Sequence, residues 1–274
     1  MEDKGVMFRE LHKGPGAFII PNPWDVGTAR ILAHLGFKAL ATTSVGMAFN
    51  LGKRDGGVSE TETLAHCRTI VAATPLPVSA DLEKGFGDSP EEAARTIRLA
   101  AETGLAGASL EDYSGDREAP IFDFSLSVER IAAAVEARNA IKADFVLTAR
   151  CENFLHNRID LDDTIKRLQA FEKAGADVLY APGLRDLDTI STVCNSVSRP
   201  INVVMGLPGT TFGVKELSDV GVRRISVGSS LARLAYGAFV HAAQEMQQKG
   251  TFDFSAQAMG FAELESFFPG PEAE

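Results

Sequence analysis

The length, composition and charge of the chain exclude several classes of protein. Its 274 residues suffice for one large domain or two smaller ones, and 45% of them are hydrophobic and 23% charged, as in ordinary globular proteins. A net charge of −10 argues against nucleic-acid binding, and no apolar run reaches transmembrane length. Because the opening residues do not resemble a signal peptide and the three cysteines are scattered, we expect a cytoplasmic protein without membrane or nucleic-acid partners.

Eight short apolar runs recur along the chain and are candidates for β-strands. They do not alternate regularly between apolar and polar residues, as is typical of strands that are buried on both faces. The runs cover residues 17–20, 39–42, 77–80, 107–110, 145–148, 178–181, 201–205 and 224–227.

Segments with helical periodicity lie between these runs. In residues 90–103 the apolar side chains share one face, Ser89 or Asp88 is a suitable N-cap, and Gly104 ends the pattern. The same reasoning predicts helices at residues 90–103, 126–141, 161–174, 186–197 and 230–249.

The alternation of strands and helices predicts an α/β fold. Eight βα units in about 250 residues are typical of a closed (β/α)₈ barrel. A doubly wound open sheet is the alternative, but such sheets usually have fewer strands, and no strong GxGxxG motif follows the first strand. We predict a single domain over residues 1–274, with residues 250–274 as a helical tail. Its aromatic residues need a surface to cover, on the barrel itself or on a neighbouring subunit.

Acidic residues follow two neighbouring strands, at the barrel end where active sites lie. Asp81 and Glu83 come directly after the third strand, where alternation would place both side chains on one side, and Glu111 follows the fourth. A single aspartate here would be read as a helix N-cap. Three clustered carboxylates repel one another unless a cation lies among them, so the pattern predicts a site for Mg²⁺, with Mn²⁺ as an alternative.

An arginine and an amide mark a second part of the predicted site. Arg150 ends the fifth strand, where its planar fork suits a carboxylate or phosphonate, although an ion pair with Glu111 or Glu152 is the alternative. Asn202 lies within the seventh strand and would point into the barrel lumen, in a binding or a structural role. His156, on the loop after the fifth strand, is expected at the surface.

The second strand is followed by a short segment that suits an anion. Ser44, Val45 and Gly46 could present backbone N–H groups to a negative charge, although Ser44 could equally cap the following segment. A metal beside such a site would act as a Lewis acid on the carbonyl oxygen of a 2-oxo acid. Breaking a C–C or C–P bond at C3 would then place charge on that oxygen as an enolate.

The order of these residues resembles the isocitrate lyase/phosphoenolpyruvate mutase superfamily over nearly the whole chain. Asp81-Leu-Glu83-Lys-Gly-Phe-Gly is similar to the superfamily's Asp-x-Asp-x-Gly-x-Gly metal motif, with Glu83 in place of the second aspartate. Ser109-Leu-Glu111-Asp112 is similar to its acidic motif on strand four, and Thr148-Ala-Arg150 to the Ala-Arg pair that binds substrate.

The resemblance also implies roles that the spacing alone does not supply. Asp55, in Lys53-Arg-Asp-Gly, matches a catalytic aspartate near the reacting atoms, and residues 44–46 match the segment that binds the substrate carboxylate and the enolate oxygen. Superfamily members are commonly homo-oligomers, so the resemblance implies a dimer or tetramer, with the C-terminal helix exchanged between subunits.

One loop departs from the best-known members. Isocitrate and methylisocitrate lyases carry a Lys-Lys-Cys-Gly-His loop, whereas residues 113–120 here read Tyr-Ser-Gly-Asp-Arg-Glu-Ala-Pro. We expect a Mg²⁺-dependent C–C lyase or decarboxylase acting on a small 2-oxo acid or a 2-hydroxy or 2-oxo dicarboxylate. The alternatives are a P–C bond enzyme, such as a phosphonopyruvate mutase, and a non-catalytic binder of 2-oxo acids.

Overall fold

The structure is a computed structural model that describes residues 3–268. Eight parallel strands are hydrogen-bonded in the order β1-β8-β7-β6-β5-β4-β3-β2, and the Ala41 N–H donates to Pro21 O (3.1 Å) between the two outermost strands. With helices between the strands, this nearly closed arrangement confirms the predicted (β/α)₈ barrel. The strands are β1 (Phe18–Ile20), β2 (Leu40–Ala41), β3 (Val78–Asp81), β4 (Gly107–Glu111), β5 (Val146–Arg150), β6 (Val178–Tyr180), β7 (Ile201–Val204) and β8 (Arg224–Ser226).

The predicted helices are present, with ends that differ from the prediction by no more than two residues. Short 3₁₀ helices also occur at Asn153–His156 and Asp253–Gln257. The α-helices are α1 (Lys4–Leu11), α2 (Val26–His34), α3 (Ser44–Asn50), α4 (Glu60–Ala73), α5 (Pro90–Ala101), α6 (Phe124–Asn139), α7 (Leu161–Ala174), α8 (Leu187–Asn195), α9 (Val214–Asp219), α10 (Ser230–Lys249) and α11 (Phe261–Glu265).

Helix capping explains where several helices begin. At α5 the Ser89 side chain accepts from the Glu92 N–H, the Glu92 side chain accepts from the Ser89 N–H, and Pro90 takes the first helical position. Ser89, rather than Asp88, is therefore the cap. Asp160 and Asp186 cap α7 and α8 in a similar way.

Side chains along the strands alternate between two environments. Outward-facing leucines such as Leu110, Leu147 and Leu179 are fully buried against the surrounding helices. At the bottom of the lumen, Phe8 of α1 packs with a second apolar cluster that includes Val146 and Val178. Above this layer the lumen is polar, and there the candidate site lies.

The tail beyond α10 is partly packed on the barrel. The Phe267 ring meets His34 of α2 edge to face at 5.2 Å, while the side chain of Phe261 is 80% exposed. Residues 269–274 of the predicted tail lie outside the described residues. Subunit exchange of the tail and the single-domain assignment stay predictions. None of the helices in residues 3–268 combines the length and the apolar character that crossing a bilayer requires.

Candidate active site

A cavity of about 810 Å³ opens among the strand ends and extends into the lumen. Its volume is within the range of small-molecule sites. The cavity brings together nearly all of the side chains that the sequence selects. Its wall contains Ser44, Val45, Asp55, Asp81, Glu83, Glu111, Arg150 and Asn202.

Gly46 is the predicted site residue that the structure places elsewhere. It is buried in the first turn of α3, and its N–H donates to Oγ1 of the N-cap residue Thr43 (3.3 Å). A Cβ at this position would lie 2.6 Å from Thr43 Cγ2 and 2.9 Å from the Trp24 Cβ. Gly46 therefore permits the close packing that brings Ser44 and Val45 to the cavity.

The two carboxylates at the end of β3 both line the cavity, but the backbone that carries them differs from the predicted extended strand. Asp81 is the last residue of β3, whereas Glu83 has φ +51° in the turn that follows. The alternation argument was wrong for this pair, because the strand ends before Glu83. The turn is stabilised by the Glu83 N–H, which donates to Asp81 Oδ1 (3.3 Å), and Ser44 Oγ donates to Asp81 Oδ2 (3.0 Å).

Arg150 lies at the centre of the acidic group. Its guanidinium is 2.9 Å from Asp81 Oδ1, 3.0 Å from Glu111 Oε2 and 2.9 Å from Glu152 Oε1. It also lies over the Tyr180 ring, 5.1 Å from the centroid. The ion pairs that the sequence left as an alternative are thus formed. Substrate binding by Arg150 stays a prediction, supported by its place in the cavity wall.

The carboxyl groups near Arg150 titrate abnormally. Burial, together with the charges of Asp81 and Asp55, raises the pKa of Glu83 to about 7. Burial raises the pKa of Glu111 well above its ordinary value although Arg150 opposes this, and burial and Asp81 raise that of Asp55. Ionisation of these carboxyl groups is therefore unfavourable at this wall, and the guanidinium of Arg150 alone does not balance their negative charges.

This excess of carboxylate fits a hard divalent cation. No group of three or more His, Cys, Asp or Glu side chains is preassembled as a complete metal cage within residues 3–268. Mg²⁺ does not require one, because it usually keeps several waters and takes only one or two carboxylates directly. Asp81, Glu83 and Glu111 thus form a donor set of the right chemistry, and metal binding itself stays a prediction.

Asp112 stands apart from these acids, although it follows Glu111 directly. Its carboxylate accepts from the Glu152 N–H (2.8 Å) and from Arg167 (3.1 Å). Burial raises the pKa of Asp112 to about 6, while these two donors favour the charged form. Asp112 therefore joins the end of β4 to the segment after β5 and helps to position Glu152 beside Arg150.

His156 lines the cavity while 27% of its side chain stays exposed, so it lies at the surface of the site rather than away from it. Its ring stacks on Tyr113 with centroids 4.0 Å apart and planes 9° apart. The His156 Nε2 atom lies 3.9 Å from Glu152 Oε2, and Glu152 in turn binds Arg150. The sequence did contain a signal for this position in the cavity wall. His156 follows shortly after the end of β5, and the ends of barrel strands face the active site.

The loop that differs from the lyases forms part of the same wall. Tyr113 pairs with Ile121 in an antiparallel bridge, and Lys84 Nζ donates to Ser114 O (2.7 Å). Gly115 and Arg117 also line the cavity. The loop is thereby held against the turn after β3, next to the carboxylates.

The lumen below Arg150 contains a charged residue that sequence reasoning missed. Asn202 donates from Nδ2 to Ser226 Oγ (3.1 Å), and its Oδ1 accepts from Arg224 Nε (2.9 Å). Arg224 is buried and lines the cavity. The sequence contained a signal for this residue, since Arg224 is a charged residue in a predicted apolar strand. The amide of Asn202 is a signal of the same kind in its own strand.

The chain forms a (β/α)₈ barrel with a polar cavity at its strand ends. This arrangement is that of the barrel enzymes, whose active sites lie at that end. Residues 8–247 match the family model described as phosphoenolpyruvate phosphomutase, and the chain belongs to this family. The resemblance to the isocitrate lyase/phosphoenolpyruvate mutase superfamily is thereby confirmed.

Individual relatives extend the similarity to most of the chain. 2-Methylisocitrate lyase of Escherichia coli (strain K12) is 30% identical over 261 residues, which are 92% of this chain and 87% of the relative. A crystal structure from Burkholderia cenocepacia J2315, provisionally described as a lyase/mutase, is 55% identical with a TM-score of 0.95, covering 98% of this chain and 96% of that one. The crystal structure of 2,3-dimethylmalate lyase is 26% identical with a TM-score of 0.85, covering 97% and 95%.

Proposed function

We propose that the protein is a Mg²⁺-dependent C–C lyase that cleaves a small 2-hydroxy or 2-oxo dicarboxylate. The observation that carries the proposal is the carboxylate-rich wall around Arg150, facing a cavity of small-molecule size. The relatives described as 2-methylisocitrate lyase and 2,3-dimethylmalate lyase support the choice of a C–C bond.

The residues that would hold the cation are Asp81, Glu83 and Glu111, mostly through water. When bound, Mg²⁺ would supply Lewis acidity towards the substrate oxygens and balance the charge of the carboxylates. Binding of the cation would also release Arg150 from part of its ion pairing. Its guanidinium would then be available to a substrate carboxylate.

The bond-breaking step can be assigned to side chains of the cavity. Ser44 and Arg150 orient the carboxylate at C1, and Asp55 accepts the proton of the 2-hydroxyl group. The C2–C3 bond then breaks, the hydroxyl oxygen becomes the carbonyl of a 2-oxo acid, and the electron pair passes to C3 and its carboxylate. The raised pKa of Asp55, caused by burial and by Asp81, makes it a better proton acceptor than an exposed aspartate.

The step is completed by a proton transferred to C3, and we assign this transfer to His156. Residues 113–120 contain no cysteine, so a thiol like that of the Lys-Lys-Cys-Gly-His loop cannot supply the proton from this loop. His156 lines the cavity, is fixed by the stacked Tyr113 ring, and lies beside the Glu152 carboxylate. Histidine is the side chain that most often serves as a general acid in enzymes.

Cleavage of a P–C bond is the second candidate function. It is favoured by the match to the phosphoenolpyruvate phosphomutase family model. The guanidinium of Arg150 suits a phosphonate as well as a carboxylate.

A substrate survey separates the two candidates. The protein is incubated with Mg²⁺ and oxaloacetate, alkylated malates, methylisocitrate or phosphonopyruvate, and pyruvate release and ³¹P NMR spectra are recorded. We expect pyruvate from at least one dicarboxylate and an unchanged phosphonopyruvate signal. Consumption of phosphonopyruvate alone would favour the P–C enzyme, and absence of turnover in every arm would favour the non-catalytic binder.

A further inference from the structure

Arg224 is a buried cation to which the described part of the chain offers no acidic partner. Its side chain donates to Asn202 Oδ1 (2.9 Å) and Thr148 Oγ1 (3.0 Å) and lies 3.4 Å from His12 Nε2. The residue is only 5% exposed, and within residues 3–268 it forms no salt bridge. All three of its hydrogen-bonding neighbours are neutral groups.

The environment of Arg224 does not compensate its charge. His12 Nδ1 donates to Phe8 O (2.8 Å), which leaves Nε2 as the acceptor that faces Arg224. Burial and Arg224 lower the pKa of His12 to about 3, so that the ring is neutral. Burial lowers the pKa of Arg224 itself to about 10, although Tyr180 opposes this shift, and the positive charge of Arg150 acts in the same direction as burial.

Another buried arginine of the barrel shows the contrast. Arg167 has the same low exposure of its side chain, yet it pairs with Asp112 at 3.1 Å and Asp163 at 2.7 Å. Burying a charge is costly unless an opposite charge or hydrogen bonds compensate for it. The missing carboxylate at Arg224 therefore indicates that an anion is supplied from elsewhere.

The guanidinium of Arg224 has access to the candidate site. Arg224 lines the same cavity as Arg150, deeper in the lumen. Polar side chains lie between the two arginines. Asn202 joins Arg224 to Ser226, and the Tyr180 ring lies beneath Arg150. A guanidinium has five N–H donors, and three neighbouring acceptors leave some of them free for a ligand.

We propose that Arg224 binds a second carboxylate of the substrate, at the floor of the cavity. One carboxylate would lie near Ser44 and Arg150, and the other would extend down the lumen to Arg224, Asn202 and Thr148. The site would thus select dicarboxylates over monocarboxylates of the same length. The inference rests on the proposed function only in placing the first carboxylate at Arg150.

Binding of two matched ligands tests this assignment without requiring turnover. Succinate carries two carboxylates, whereas succinamate has the same length with one carboxylate replaced by an amide. Isothermal titration with Mg²⁺ present should show succinate binding to the wild-type protein about tenfold more tightly or better, as expected for a charged hydrogen bond. In Arg224→Gln the preference for succinate should vanish. The neutral glutamine amide can hydrogen-bond the amide of succinamate as well as it hydrogen-bonds the second carboxylate of succinate.

A purely structural Arg224, tying β8 to β5, β7 and α1, predicts a different result. In that case Arg224→Gln would lower the melting temperature, but the folded fraction would keep the preference for succinate. The control Arg98→Gln removes an exposed arginine of α5 that does not line the cavity, and it should retain the wild-type preference. If Arg224→Gln does not fold, the wild-type comparison decides, and a preference well below tenfold overturns the proposal.

The test also separates this proposal from the proposed lyase activity. A preference for succinate that depends on Arg224, together with no C–C cleavage of any dicarboxylate, would leave the subsite standing and contradict the lyase. Cleavage of a dicarboxylate with no loss of the preference for succinate in Arg224→Gln would support the lyase and contradict the subsite.

Discussion

At the scale of single residues, the charge balance of the candidate site depends on Arg150, whose guanidinium contacts carboxylates from three segments of the chain. Its position at a strand end predicted a role in the site, because barrel strands end at the active-site face. The sequence left open whether it would pair with Glu111 or Glu152, and the structure shows that it pairs with both and with Asp81. Such a shared guanidinium depends on three separate segments meeting in space, which spacing along the chain does not reveal.

His156 should be required for proton transfer rather than for binding. We expect His156→Gln to lower kcat by about 10²-fold or more with little change in KM, as is typical when a general acid is lost. The measurement is steady-state kinetics on the substrate that the survey identifies.

Tyr113→Phe is the matched control for that variant, since it keeps a ring stacked on His156 and removes only the hydroxyl. It should retain most of the wild-type kcat. An unchanged kcat in His156→Gln would show that the acid lies elsewhere.

His12 should make the protein less stable in mild acid. Its folded-state pKa of about 3 is below the ordinary value of 6.5, so the unfolded chain binds the extra proton. The contribution of neutral His12 is present above pH 6.5 and is lost progressively as the pH falls towards 3. Between pH 7 and 5 this amounts to about 2 kcal/mol of unfolding free energy.

Chemical denaturation of His12→Gln at the two pH values checks this prediction. The variant should lose about 2 kcal/mol less than the wild type between pH 7 and 5. His34→Gln changes an exposed histidine on α2 and should leave the wild-type difference intact. Equal losses in His12→Gln and the wild type would mean that His12 is protonated in the folded protein.

At the scale of elements, the helices that the sequence analysis named were predicted well, but others were not named, among them the 14-residue α4. Residues 161–174 and 230–249 were predicted with the observed ends, because long apolar periodicity and a following glycine define both. The helix α3 was missed, since it is short and begins directly after β2 within a polar cluster. The turn at Glu83 was also missed, because a positive φ at a glutamate has no sequence signal.

The first turn of α3 should not tolerate a larger residue at Gly46. In Gly46→Ala the new methyl group would meet Thr43 and Trp24, so the turn that carries Ser44 would have to move. We expect a loss of about 1–3 kcal/mol in stability and a lower kcat/KM. Thermal denaturation and steady-state kinetics measure the two effects.

Gly27→Ala provides the same substitution in α2, where the added Cβ would lie 3.4 Å from Asp25 Oδ1, an ordinary contact distance. It should be neutral or slightly stabilising, since alanine is favoured over glycine inside a helix. If both variants behaved alike, the close packing at Gly46 would have no functional consequence.

At the scale of the whole molecule, the barrel followed from the sequence, but the assembly did not. Large apolar side chains stay exposed on α10 and the tail, among them Leu234 at 71%, Phe239 at 69% and Phe261 at 80%. Exposed apolar surface of this kind marks contacts between proteins. We therefore propose a homo-oligomer that buries this face, in line with the resemblance to the superfamily.

Charged substitutions on α10 test the assembly. Leu234→Asp combined with Phe239→Asp should shift the protein to a smaller species in analytical ultracentrifugation, because burying two carboxylates at an interface is costly. Val214→Asp places the same charge at the exposed start of α9 and should leave the assembly unchanged. A wild-type protein that sediments as a monomer would contradict the proposal directly.

The central claim is a metal-assisted C–C cleavage at the carboxylates around Arg150, and its metal dependence can be measured directly. Pyruvate release from the best dicarboxylate is followed with Mg²⁺, with excess EDTA, and after Mg²⁺ is restored. The same assay compares Asp81→Asn with Asp88→Asn, which alters an exposed carboxylate that pairs with Lys84. We predict that EDTA and Asp81→Asn each lower the rate by about 10²-fold or more, that Mg²⁺ restores the first loss, and that Asp88→Asn has little effect. Turnover that is unchanged both in EDTA and in Asp81→Asn would contradict this account.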